Sequence, residues 1–197
     1  MMNKPNLQEI KQVMLSEGMK VFTLPFDMTL GCIRTIDNKA NTFNDFLFML
    51  YHDASGKLCG IVEKGTTDAG LYYRLKPMTV KGTCIIMHGK QYRGAFTYMK
   101  KGGHRGQEAF RQTSKIWYWL DNNRDQYLDF DGKEAYDIFN TNGHDMGTNG
   151  VIVGNWSAGC WGSTNAIMDK FYLLAQLQMN HGHGDKFSLA VIHETDF

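Results

Sequence analysis

No C-x-x-C pair occurs among the four cysteines of this chain, Cys32, Cys59, Cys84 and Cys160. Their spacing argues against zinc ribbons and thioredoxin-type redox chemistry. A charge excess is missing too. The formal net charge is +1, whereas a protein that binds nucleic acid through its phosphates carries a strong basic surplus. No apolar run approaches the roughly 18 residues of a membrane span. Residues 1–20 are polar and mildly amphipathic and lack the apolar region of a secretory signal. Synthesis in the cytoplasm is therefore expected, with delivery left to another agent if the target lies outside. Proline is scarce, at 3 residues, and neither a repeat nor a low-complexity linker divides the chain. One domain over residues 21–197, with a helical N-terminal extension over residues 1–20, is the expected organisation.

What is present favours strands. Aromatic residues reach 13% and glycine 21 residues, with few long helical patterns, a combination suited to a mostly β fold. Leu7, Ile10, Val13 and Met14 recur at helical spacing, which predicts a short N-terminal helix over 7–18. Strands are expected over 28–36, 43–52, 57–63, 80–87, 92–99, 115–120 and 187–192, with a hairpin turn at Asp53-Ala-Ser-Gly56. Residues 64–78 read as a loop, 102–106 as a flexible loop and 107–112 as a helical turn. Residues 137–140 read as a short apolar piece, and 141–155 as a long loop or hairpin. Residues 165–179 carry Ile167, Met168, Phe171, Leu174, Ala175 and Leu177, the broad apolar face of a C-terminal helix. It ends at Asn180-His-Gly-His-Gly184.

Cys32, Cys59 and Cys84 lie in apolar or alternating runs, where a free cysteine behaves as a small hydrophobe. Cys160 differs, because it closes Trp156-Ser157-Ala158-Gly159-Cys160, a loop rich in small residues just ahead of the predicted helix. A catalytic thiol must be exposed to substrate, held on a rigid turn and drawn toward thiolate. Gly159 permits close approach of a substrate, and turn amides there can face a developing oxyanion.

Ser157-Ala158-Gly159-Cys160 resembles the Ser/Thr-His-Gly-Cys motif of L,D-transpeptidases, and the order of cysteine, helix and closing strand is similar. The resemblance is greater to phage-encoded relatives of that domain. It rests on Val153-Gly-Asn-Trp-Ser-Ala-Gly-Cys160 and, in order, on Gly65-Thr-Thr-Asp68, Val80-Lys-Gly-Thr83, Gln91-Tyr-Arg-Gly94, His104-Arg-Gly106 and Asp121-Asn-Asn-Arg-Asp125. It covers about residues 21–194. It implies a β-sandwich or barrel-like fold that needs no cofactor or metal. It also implies a thioacyl intermediate on Cys160, formed from a peptidoglycan stem peptide and passed to an amine or to water. Action at the cell wall through phage delivery or lysis, or a place in the virion beside other phage proteins, is what the resemblance implies for location and partners.

The chain departs from that pattern at three points. Asn142 stands eighteen residues before Cys160, where the family has its basic histidine; Ala158 replaces a second histidine; and Trp161-Gly162 replaces a following arginine. Asparagine cannot accept a thiol proton as imidazole can. Either His144 takes over, since residues i and i+2 of a strand share a face, or the domain has lost catalysis and only binds wall or builds a virion. His104 and Arg105 in Gly-Gly-His-Arg-Gly are candidate substrate contacts, with Arg105 suited to a stem-peptide carboxylate. Arg93 and Trp156 are further candidates. His181-Gly-His183 looks like a metal pair but has no third ligand nearby. A papain-like protease fits less well, because the histidines that follow Cys160 sit in no recognisable partner motif.

Lys100, Lys101, Arg105, Arg111 and Lys115 form a basic stretch, and the acidic stretch that follows includes Asp121, Asn123, Asp125 and Asp129 in a D-x-N-x-D spacing. Those four oxygen donors suit a calcium loop. Against it, Gln126 stands where such a loop wants glycine, and Gly132 where it wants glutamate. An Asx-rich turn is the other reading.

Overall fold

The computed structural model describes residues 2–197. The chain is mostly β, with a sheet close to a closed barrel, a short N-terminal helix and a C-terminal helix. Helix α1 (Leu7–Ser16) starts in a capping box. The Asn6 side chain accepts from the amides of Gln8 and Glu9, and the Glu9 carboxylate accepts from the Asn6 amide. Strands β1 (Thr29–Arg34), β2 (Asp45–His52) and β3 (Leu58–Gly65) follow, then a five-residue helix α2 (Leu71–Leu75). Next come β4 (Thr83–Ile86), the long β5 (Lys90–His104), β6 (Gln107–Gln112), β7 (Ile116–Asp121) and β8 (Lys133–Asp137). Short strands β9 (Gly143–Asp145) and β10 (Trp161–Ser163), helix α3 (Asn165–Asn180) and β11 (Lys186–His193) complete the order, ahead of a 3-10 turn at Glu194–Asp196.

The main sheet runs β10-β9-β6-β5-β11-β1-β2-β3, and a second sheet runs β4-β7-β8. Its two edges meet. The Thr66 amide donates to the Gly162 carbonyl at 2.8 Å, and the Gly162 amide donates back to Thr66 at 2.9 Å. Ser163 Oγ adds a bond to the Lys64 carbonyl at 2.6 Å. This seam lies two residues beyond Cys160, so closing the sheet also fixes the cysteine turn.

Strands β1, β2 and β11 are buried almost throughout, because both faces of the sheet are covered. Leu30, Cys32, Leu47, Met49, Leu189 and Val191 face a core shared with the second sheet and with Met168, Phe171 and Ala175 of α3. The alternate residues Ile33, Phe46, Phe48, Leu50, Ala190 and Ile192 face Ile10, Val13 and Met14 of α1. The N-terminal helix is thus one wall of the domain's own core.

Three local expectations are corrected. Residues 107–112 form strand β6, not a helical turn. Gln-Glu-Ala-Phe-Arg-Gln has fair helix propensity, but pairing with β5 and packing of Phe110 on Trp161, with ring centroids 5.7 Å apart, decide the matter. Residues 102–106 are the end of the same hairpin. Arg105 and Gly106 both take positive φ, 47° and 84°, as a two-residue primed turn requires. A register shift between Met99 and His104 re-aims the strand end that carries His104. The loop expected over 64–78 contains α2, too short to leave a periodic signal.

Candidate functional site

The cysteine turn is braced from within. Ser157, fully buried, donates its hydroxyl to the Cys160 carbonyl at 2.8 Å and accepts the Gly159 amide at 3.1 Å. Ser157 therefore shapes the turn and does not touch the sulfur. Gly159 has φ +124°, and a Cβ there would lie 2.8 Å from the Cys84 carbonyl oxygen, so only glycine fits. Its amide is spent on Ser157. The Cys160 amide has no acceptor among the described residues.

Three of the predicted residues, Asn142, His104 and His144, converge on the Cys160 sulfur. β9 and β10 run parallel, with Gly143 opposite Trp161 and His144 opposite Gly162. A Cβ on Gly143 would lie 2.2 Å from the Trp161 ring, so glycine is what allows the two strands to close. The Asn142 amide donates to Cys160 Sγ at 3.4 Å, and the thiol faces the Asn140 carbonyl at 3.6 Å. Gln112 of β6 clamps this segment. Its amide donates to Asn142 Oδ1 at 2.9 Å, and its side-chain oxygen accepts the Thr141 amide at 2.9 Å. With Asn142 Oδ1 so used, its NH2 group faces the Asn140 carbonyl at 2.8 Å and His104 Nδ1 at 3.0 Å. That arrangement makes Nδ1 of His104 an acceptor.

His144 stacks on His104, with centroids 4.3 Å apart and planes 17° apart. One nitrogen of each imidazole and the Cys160 sulfur lie within 4.8 Å of one another. His144 Nδ1 meets the Asp145 carbonyl at 2.5 Å, so it carries the proton. Its Nε2 is buried with no partner. Burial pushes the His144 imidazole down to about 4, helped by His104 and Arg105 and opposed by the Asp145 carbonyl. His104 is lowered by burial and then by Arg105 and Arg111. Burial pushes the Cys160 thiol up to about 11, against the Asn142 amide and Arg105. At neutral pH the resting groups are a thiol and two neutral imidazoles.

The thiol opens onto a cavity of about 430 Å³, within the range of small-ligand sites. Trp156, Ala158, Gly159 and Cys160 of the cysteine turn line it together with His104 and Arg105 of the hairpin tip. Met78, Thr79 and Ile138 to Asn140 complete the lining, and nothing in their sequence marked them. Trp156 is braced against Gly147, where a Cβ would lie 3.2 Å from the indole. Arg93 is not brought to this site: its guanidinium lies 5.2 Å from the Phe22 ring centroid. His183 Nε2 meets the Pro25 carbonyl and His181 stacks on Phe26, so that pair caps a helix end.

The D-x-N-x-D loop closes around a guanidinium. Arg74 of α2, fully buried, lies 2.6 Å from Asp121 Oδ2 and 3.6 Å from Asp125 Oδ1. It also donates to Asn123 Oδ1 at 3.3 Å and to the Tyr127 carbonyl. Asp129 accepts from Asn123 Nδ2 at 2.7 Å. Arg74 supplies the positive charge for which the sequence pattern suggested calcium, and sequence reasoning missed it because it lies nearly fifty residues upstream.

No helix among the described residues is long and apolar enough to cross a membrane. Comparison with family models finds no match. Neither a curated protein nor a solved structure matches the chain.

Proposed function

We propose that this chain is a cysteine acyl-transfer enzyme of the L,D-transpeptidase type that acts on peptidoglycan stem peptides. The observation that carries the proposal is the Cys160 thiol facing a ligand-sized cavity in one cluster with His144, whose Nε2 is unprotonated and unpartnered. Cys160 attacks the stem-peptide carbonyl as His144 Nε2 takes the thiol proton. The Cys160 amide is the donor available to the oxyanion. Collapse breaks the C–N bond, and the imidazolium returns its proton to the departing amine. An amine or water then attacks the thioester, with His144 again as base. Arg105, exposed at the hairpin tip, pairs with a substrate carboxylate, and Trp156 offers an apolar wall.

Because the resting thiol is protonated, proton transfer accompanies attack. The test is incubation with a carbapenem, with the adduct read by intact mass and peptide mapping. One adduct on Cys160, absent from Cys160→Ala and much slowed in His144→Asn, is the expected result. The buried, high-pKa thiol favours a second reading, a wall-binding or virion module without turnover. No adduct on a free, reduced Cys160, together with retention on isolated peptidoglycan sacculi, would select it.

A further inference from the structure

We propose that His104, His144 and Cys160 form a binding site for a soft divalent transition metal, zinc first among them, with its fourth position open to the cavity. The three donors come from three separate strands or turns, yet lie within 4.8 Å of one another. A tetrahedral zinc sets nitrogen and sulfur donors about 3.3–3.6 Å apart, so no pair need close by more than about 1.5 Å. Two imidazoles and one thiolate with an open position form a donor set that suits zinc and excludes the hard cations.

The second observation is the state of His144. Its Nδ1 proton is given to the Asp145 carbonyl, the outer contact that orients a metal-binding imidazole. Its Nε2 lone pair, on a residue 1% exposed, has no partner among the described residues. A buried polar atom left unpaired asks for an explanation, and a cation supplies one. His104 gives its Nδ1 lone pair to the Asn142 carboxamide, so a metal held at that nitrogen replaces one N–H donor. Binding exchanges the Cys160 thiol proton for the metal and releases that proton to solvent. Asn142 therefore competes with the metal for His104.

The site shares Cys160 with the acyl-transfer chemistry but does not rest on it, because metal binding is measured without turnover. The chelator-stripped full chain is titrated with zinc chloride by calorimetry and with cobalt chloride by absorption. One equivalent should bind with a dissociation constant of about 1 µM or tighter. Cobalt should give a thiolate charge-transfer band and the intense visible bands of four-coordinate geometry. Cys160→Ser and His144→Ala should each weaken zinc binding by on the order of 100-fold, and Asn142→Ala should strengthen it. Zinc should also block the carbapenem adduct, with chelator restoring it. Absence of binding, or affinity unchanged within about threefold in both Cys160→Ser and His144→Ala, overturns the metal site. Acylation of the stripped protein without zinc binding defeats this inference alone, whereas zinc binding without acylation defeats only the enzyme reading.

Discussion

Replacing Arg74 with methionine removes the guanidinium around which the acidic loop is folded. Arg74 and Asp121 side chains are both fully buried, and the pair is 2.6 Å apart. Removing one member of a buried pair strands the other, typically at about 3–5 kcal/mol. Asp121 keeps two other donors, the amides of Asp129 at 2.8 Å and Asn123 at 3.4 Å. The lower end, about 3 kcal/mol, is therefore expected for Arg74→Met. Arg74→Lys keeps the charge but loses the planar fork that also reaches Asn123 and Tyr127, and should fall by about half as much. Equilibrium unfolding in urea measures both. Calcium sharpens the test. Wild type should melt at the same temperature in EDTA and in excess calcium, since Arg74 already holds the loop's oxygens. Arg74→Met frees Asp121, Asn123, Asp125 and Asp129 and should gain stability with calcium. An Arg74→Met protein within about 1 kcal/mol of wild type, or a wild type raised several degrees by calcium, would refute the reasoning.

Cys160→Ala should leave the urea midpoint within about 1 kcal/mol of wild type, because only one sulfur is lost, while the intact-mass adduct disappears. Gly143→Ala should cost about 1–3 kcal/mol by forcing the Trp161 ring away from its seat, read by the same unfolding assay and by a shift in tryptophan emission. Burial, then Arg34 and His193, push His88 down to about 4. Its neutral form is favoured in the folded state, so its contribution is intact above the unfolded value of about 6.5 and is lost as pH falls toward 4. Because the ring is partly exposed, about half of the roughly 3 kcal/mol full shift is expected. His88→Asn should flatten that part of the stability–pH curve between pH 6.5 and 4. The same slope in His88→Asn as in wild type would remove the assignment.

The parts of this molecule legible in its sequence are those whose signal is local. Residues 43–63 announce a hairpin through alternation and the Asp53-Ala-Ser-Gly56 turn, and β2 and β3 pair across it. The cysteine turn and the helix behind it are equally plain. His144 was reachable from the two-residue repeat of a strand, and β9, which begins just after Asn142, carries His144 to the sulfur's side. Other features depend on pairing between distant segments. β6 carries helix-favouring residues and becomes a strand because β5 offers it an edge. Arg74 meets Asp121 across the chain, and Thr66 meets Gly162 from opposite halves of it; neither contact leaves a periodic trace. Arg93 shows the opposite error, a motif residue in the right sequence company but on a different surface.

β11 has a consequence for how the chain is made. It follows every other strand in sequence, yet it lies between β5 and β1 in the middle of the sheet. During synthesis β1, β2 and β3 can pair among themselves, and β5 with β6, but until residues 186–193 have left the ribosome the two halves lack the strand between them and share only the Thr66–Gly162 seam. Both then carry an open edge, the state most prone to wrong pairing. The cysteine turn emerges earlier, with Thr66 waiting in one half and His104 in the other. Cys160, Asn142, His144 and His104 all belong to the β5-β6-β9-β10 half, so the thiol can gather its neighbours early, and docking of the last strand then fixes that half against β1, β2 and β3.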